Sequence, residues 1–261
     1  MELNLQKKKI LITGASQGIG EKIAFSFARE GCDIHLVSRS ADKLEAIAQQ
    51  IREKYGVNVG YTAIDMTEEG ACHCIVDEAG HIDILINNAG VVPAGNLASI
   101  SAEKWREGWE LKGFGYIDMI RLVYHAMKKA GGGVIINNIG SGGEVCDPNY
   151  IEGAACNASL MAITKALGSS SLNDNIRVVG VNPGPVKTER ISKMMAHIET
   201  GNNKGNDKEV KNPFSHFPLG RPAEPQEVVD LLLFLASARA SYISGTIITI
   251  DGGLSAQRKV F

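Results

Sequence analysis

The stretch Ile10-Leu11-Ile12-Thr13-Gly14-Ala15-Ser16-Gln17-Gly18-Ile19-Gly20 decides the fold. A short apolar strand runs into a glycine-rich turn, and a helix follows through Glu21-Lys22-Ile23-Ala24-Phe25-Ser26-Phe27-Ala28-Arg29, stopping at Gly31. A strand that feeds straight into a helix leaves unpaired backbone N–H groups and the positive end of the helix dipole at the turn, which suits a phosphate. Glycines at 14, 18 and 20 let the backbone turn tightly, approach a pyrophosphate closely and pack helix on strand. Glycine-rich turns also form for conformational reasons alone, but a strand before this one and an amphipathic helix after it favour a dinucleotide site.

Outward from that turn the apolar spacing alternates between strand and helix. Residues 33–37 read as a second strand, and the helix predicted over 41–55 carries Leu44, Ile47, Ala48 and Ile51 at helical spacing. A third strand over 57–64 ends at Asp65, a polar helix runs to about Gly80, and residues 82–86 form a fourth strand. The pattern continues with a long helix about 105–129, a strand at 134–137, a helix about 154–171, a strand at 177–181, a helix at 225–236 and a last strand at 246–250. Such alternation needs right-handed crossovers and gives a doubly wound parallel α/β sheet of the Rossmann type, covered on both faces. One domain over 1–261 accommodates it. Residues 189–217 are polar and lysine-rich without a period, and read as a mobile, lid-like segment on the substrate side.

Composition narrows the function. Apolar residues make up 44% of the 261 and charged residues 21%, enough to bury a large core. A net charge of −2 with mixed signs offers no basic face for nucleic acid; the run Lys7-Lys8-Lys9 reads as solvated residues ahead of the first strand. No apolar run approaches membrane-spanning length and no signal peptide is read, so no membrane partner and a cytoplasmic location are expected. Five scattered cysteines argue for a reducing compartment. Cys72-His73-Cys74 has no second ligand pair at zinc spacing, and no metal is expected.

Four short motifs, in order, carry a family resemblance: Thr13-Gly14-Ala15-Ser16-Gln17-Gly18-Ile19-Gly20, Asn87-Asn88-Ala89-Gly90, Asn182-Pro183-Gly184-Pro185-Val186-Lys187-Thr188 and the terminal Asp251-Gly252-Gly253. Over essentially its whole length the chain resembles the short-chain dehydrogenase/reductase family. The resemblance implies a cofactor held by Gly14, Ser16, Gln17, Gly18, Ile19 and Gly20 at the pyrophosphate, by Asp65 and Met66 at the adenine, and by Asn88, Ala89 and Gly90 at the adenosine side. Pro183, Gly184, Val186 and Thr188 would then lie at the nicotinamide end, with Thr188 on the carboxamide. It also implies a small-molecule substrate and a homodimer or homotetramer, paired through the apolar helix at 225–236, the tail after Asp251 and the long helix about 105–129. The end of the second strand speaks independently about the cofactor. A carboxylate there would hold the ribose hydroxyls and repel a 2′-phosphate, whereas this chain has Ser38-Arg39-Ser40, and an arginine fork pairs with a phosphate dianion. NADP is favoured over NAD.

The family's proton-transfer groups are a serine, a Tyr-x-x-x-Lys pair on the helix after the fifth strand, and an upstream asparagine. Ungapped alignment through Leu160–Leu167 puts Gly153 at the tyrosine, Asn157 at the lysine, Gly140 at the serine and Lys112 at the asparagine. A one-residue shift in the turn would place Ser141 at the serine. Two glycines at the centre predict a roomier pocket, and a lysine and an asparagine have exchanged supporting positions. Lys112 is the candidate cation, with a surface helix lysine as the plain alternative; Ser141, Glu144, Asp147 and Tyr150 on the following loop are candidate acids, of which Ser141 and Tyr150 are carried with Lys112 as catalytic candidates. The readings are an NADP(H)-dependent oxidoreductase of a ketone or secondary alcohol with a rearranged proton donor, a non-catalytic dinucleotide-binding sensor or regulatory protein, and a lyase or hydrolase using the enlarged pocket.

Overall fold

A computed structural model describes residues 2–90, 92–189, 191, 214, 215 and 217–257. Seven strands form one sheet: β1 Lys9–Thr13, β2 Asp33–Ser38, β3 Val59–Ala63, β4 Ile84–Asn87, β5 Gly133–Asn138, β6 Ile176–Pro183 and β7 Thr246–Ile250. Between them run helices α1 Gly18–Arg29, α2 Ala41–Tyr55, α3 Ala71–Ala79, α4 Ala102–Trp109, α5 Gly115–Ala130, the short α6 Gly142–Val145, α7 Ile151–Gly168 and α8 Pro225–Ala236. All pairings are parallel, in the order β3-β2-β1-β4-β5-β6-β7, so the doubly wound α/β expectation holds. β1 sits between β2 and β4, with Ile10 opposite Ile34 on one side and Ile84 on the other. The winding reverses there, and a ligand crevice opens outside the carboxyl ends of β1 and β4.

Alternation along β1 divides the core. Ile10 and Ile12 pack with Ile23 and Phe27 of α1, Ile47 and Ile51 of α2 and Leu232 of α8. Leu11 points to the other face, among Ile75 of α3 and Met119, Val123 and Met127 of α5. The apolar stripe of α8 is spent on this same core: Val228, Val229, Leu232, Leu233 and Leu235 are all buried within the chain itself.

Several expected boundaries move, the fourth strand from 82–86 to Ile84–Asn87 and the sixth from 177–181 to Ile176–Pro183 among them. The third strand is shorter than 57–64, the helix expected about 154–171 begins at Ile151 and ends at Gly168, and the long helix about 105–129 is three pieces, because α4 and α5 are joined by a π-helical turn over Glu110–Phe114. The lid-like reading of 189–217 falls largely outside the described residues. No helix among the described residues is long and apolar enough to cross a membrane. Phe27 has no exposed surface and anchors α1 on the sheet. Phe27→Ala is expected to cost about 3–5 kcal/mol in chemical denaturation, through lost transfer energy and the cavity left behind.

Candidate active site

The glycine-rich turn is fastened to the neighbouring strand before any ligand is considered. Thr13 Oγ1 accepts from the backbone N–H of Asn88 at 2.9 Å and of Ala89 at 3.0 Å, while Asn88 Nδ2 donates to the carbonyls of Thr13 (3.0 Å) and Gly14 (3.2 Å). Asn138 Nδ2 at the end of β5 donates to Asn88 Oδ1 at 2.8 Å, extending the line across three strands. Behind it, Asn87 Nδ2 donates to Asn137 Oδ1 at 3.0 Å and Asn137 Nδ2 to Thr164 Oγ1 of α7 at 2.9 Å. Gly14 has φ +67°, and a Cβ there would lie 2.8 Å from the Ala89 Cα; a Cβ at Gly20 would collide with the Gly14 carbonyl. The backbone is therefore bare where a pyrophosphate would approach, which is the fit a dinucleotide requires.

A cleft of about 540 Å³ opens over this turn. Its walls include fourteen of the residues expected at a cofactor: Gly14, Ser16, Gln17, Gly18, Ile19, Gly20, Ser38, Arg39, Asp65, Met66, Asn88, Ala89, Gly90 and Thr188. Pro183, Gly184 and Val186 are not among them: Pro183 ends β6 and its carbonyl accepts from Ser141 N–H at 2.9 Å, Gly184 lies against Asp251, and Val186 is buried in the core. At the cleft mouth Arg39 Nη1 lies 3.5 Å from Asp65 Oδ2, with the arginine side chain 75% exposed. So exposed a pair binds weakly, and the guanidinium can be given up to a phosphate at little cost. The Asp65 carboxylate is held below its usual range chiefly by the Thr67 backbone N–H at 3.0 Å, with Thr67 Oγ1 and Arg39 adding to it. Lys43 Nζ of α2 donates to Oε1 of the wall residue Gln17 at 3.3 Å; nothing in its helical spacing singled it out.

At the carboxyl end of β5 the exchanged residues come together. Lys112 lies in the π-helical turn, only 8% exposed, with its stem against Gly90, so the plain surface reading is corrected. Its Nζ donates to the Ile139 carbonyl at 2.6 Å, and Asn157 Nδ2 in α7 donates to the next carbonyl, Gly140, at 3.3 Å. A cation and an amide thus hold consecutive carbonyls of one turn. Gly140 itself has φ +117°, a conformation that a serine would adopt only under strain. Ser141 follows as the residue before α6.

The roomier pocket expected from Gly140 and Gly153 is corrected at Gly153, because Tyr150 fills it. A Cβ on Gly153 would collide with the hydroxyl-bearing edge of the Tyr150 ring, and one on Gly142 would lie 2.9 Å from Tyr150 Cε1. The ring stands over the α7 backbone where the family's tyrosine would begin, three residues upstream of that position. Its turn is fixed locally: Tyr150 N–H donates to the Asp147 carbonyl at 3.0 Å, and Asp147 Oδ1 accepts from Asn149 N–H at 2.8 Å. Glu144 is likewise occupied, accepting from Asn182 Nδ2 and Thr249 Oγ1, both at 2.7 Å. Among the described residues no His, Cys, Asp and Glu group could hold a metal ion.

A family model described as enoyl-(acyl carrier protein) reductase matches residues 14–255. The 3-oxoacyl-[acyl-carrier-protein] reductase FabG of Thermotoga maritima is 31% identical over 97% of this chain and 99% of its own. Among solved structures, the L-sorbose reductase of Gluconobacter frateurii, complexed with NADPH and L-sorbose, superposes with a TM-score of 0.91 at 33% identity over 99% of this chain and all of its own. A 7α-hydroxysteroid dehydrogenase complexed with NADH and 7-oxo glycochenodeoxycholic acid gives 0.85 at 29% identity over 97% and 96%.

Because the ring of Tyr150 occupies the space above Gly153, Gly153→Tyr is expected to destabilise the protein by about 1–3 kcal/mol through overpacking. Tyr150→Gly in the same chain should relieve most of that loss. Denaturation of the two single variants and the double variant measures the coupling, and additivity within about 0.5 kcal/mol would contradict the placement of the ring.

Proposed function

The chain belongs to the short-chain dehydrogenase/reductase family, and we propose that it is an NADP(H)-dependent oxidoreductase of a ketone or secondary alcohol in which Tyr150 gives and takes the proton. The observation that carries this reading is the Tyr150 ring in the space above Gly153, beside the turn whose carbonyls hold Lys112 and Asn157. When bound, the dinucleotide supplies or accepts the hydride. The bare backbone of the glycine turn takes its pyrophosphate, Asp65 and Met66 its adenine, and Thr188 its carboxamide. Arg39, with Ser38, takes the 2′-phosphate, since no carboxylate ends β2 to repel it. The sorbose reductase complexed with NADPH supports a phosphate-bearing cofactor, and the steroid dehydrogenase complexed with NADH is the counter-example that Arg39 answers.

On the substrate side, the Tyr150 hydroxyl protonates the developing alkoxide and Ser141 orients the carbonyl. A phenol has an ordinary pKa near about 10 and is a weak base at neutral pH, so it needs a cation that favours the phenolate. That role falls to Lys112, which exchanges places with the amide of Asn157 on the turn after β5. The substrate is a small molecule, and the protein works in the cytoplasm as a homodimer or homotetramer, which light scattering tests. A second reading, a non-catalytic dinucleotide sensor, is favoured by the loss of side chains at Gly140 and Gly153.

NADPH oxidation on a panel of ketones separates the two. Tyr150→Phe is expected to lower turnover by about 10²–10⁴-fold, the usual worth of a positioned acid, with NADPH affinity unchanged. Tight NADPH binding without turnover on the panel would favour the sensor. Arg39→Ala should weaken NADPH binding about tenfold or more, the loss of a charge-assisted contact, and leave NADH binding alone in a fluorescence titration.

A further inference from the structure

Glu152, the second residue of α7, is fully buried, and neither carboxyl oxygen has a hydrogen-bond partner among the described residues. A Cβ on Gly108 of α4 would collide with Glu152 Oε1, and would lie 3.3 Å from Pro93 Cδ of the loop after β4. The glycine is thus a notch that the carboxyl fills. Of the titratable groups on the elements packed around it, Glu103, Lys104, Arg106 and Glu107 of α4 and Glu110 of the π-helical turn are exposed, Tyr150 leads into α7, and Cys156 and Lys112 are buried; the Cys156 thiol feels the charge of both Lys112 and Glu152. Among the described residues no donor is bonded to the carboxyl, and burial pushes the acid above the ordinary carboxylate range.

The same turn of chain presents Tyr150. Gly95 N–H donates to the Asn149 carbonyl at 2.8 Å and Ile151 N–H to the Gly95 carbonyl at 3.3 Å, so the loop that carries Pro93 is laced to the residues on either side of the tyrosine. Docking of the carboxyl on Gly108 fixes how this first turn of α7 lies on α4. We propose that Glu152 is a positioning residue that works as a neutral acid: its protonated carboxyl, seated in the Gly108 notch, holds Tyr150 over Gly153, and its ionisation unseats the turn. The importance of this for catalysis rests on the reading of Tyr150 as proton donor; the seating itself does not.

The direction of the pH effect follows from the raised pKa. Neutral Glu152 is compatible with the fold, so its seat is intact below the ordinary glutamate value and is lost as pH rises through the higher value of the folded state. Glu152→Gln keeps the shape and cannot ionise. As pH rises from the ordinary glutamate value into the alkaline range, the melting temperature of the unmodified protein is expected to fall by more than that of Glu152→Gln. Amide exchange at Gly95 and Ile151, corrected for its intrinsic pH dependence, is expected to lose roughly tenfold in protection over the same range, in the unmodified protein only. The pH profile of NADPH oxidation should lose its alkaline limb in Glu152→Gln. Parallel melting curves with unchanged amide protection in the two proteins would overturn the proposal, whatever the enzymatic activity. Absence of turnover with the exchange difference intact would instead sink the proton-donor reading and leave the seat standing.

Discussion

A threonine hydroxyl and two asparagine amides tie the molecule together where the sheet changes direction. Thr13 Oγ1 accepts two backbone N–H groups from the segment after β4, Asn88 returns its amide to the carbonyls of Thr13 and Gly14, and Asn138 continues the line to β5. These groups are buried or nearly so, and a lost partner there would leave a neighbour unsatisfied, at a cost of about 1–3 kcal/mol per group. The glycine turn therefore keeps its shape through bonds to β4, and β4 keeps its register against β5 through the parallel line of Asn87, Asn137 and Thr164. A rigid cradle results before any ligand binds.

What hangs from that cradle is more variable. The turn after β5 offers two consecutive carbonyls, Ile139 and Gly140, to whichever donors the facing helices supply. An ammonium and an amide can each satisfy one of them, so a lysine and an asparagine can trade sides without orphaning either carbonyl. The π-helical turn supports the exchange by bringing Lys112 inward at a point where a regular helix would keep its neighbours in step with the 3.6-residue period. Glycine at 90 makes room for the lysine stem.

How much of this can be read from the chain depends on whether the signal is local. The helices over 41–55 and 225–236 match residue for residue, because their ends are written in caps: Gly56 in the left-handed conformation closes the first, and Glu224, Pro225 and Glu227 open the second. Most of the cleft walls are legible too, since glycine spacing and the residues after each strand set them, although Pro183, Gly184 and Val186 lie elsewhere. The π-helical turn leaves no mark, as helical spacing resumes on both sides of it. Tyr150 reads as a loop residue; only three-dimensional packing shows its ring standing over Gly153. Glu152 reads as an ordinary acid at a helix start, favoured by the dipole, and nothing in the sequence announces that Gly108 closes over it.

A tyrosine on the turn before α7 is held differently from one on the helix itself. A side chain at 153 would be aimed by the α7 backbone, itself secured by Asn137 through Thr164. A side chain at 150 is aimed instead by the turn of Asp147–Tyr150 and by its lacing to Gly95, both outside the helix. Loops of this kind open more readily than helices, because fewer bonds must break together. The chain thus joins a rigid cofactor cradle to a phenol on a more yielding support. Any force that steadies the first turn of α7, whether burial of Glu152 against Gly108 or a molecule resting on the ring, bears directly on the Tyr150 phenol while leaving the cradle untouched.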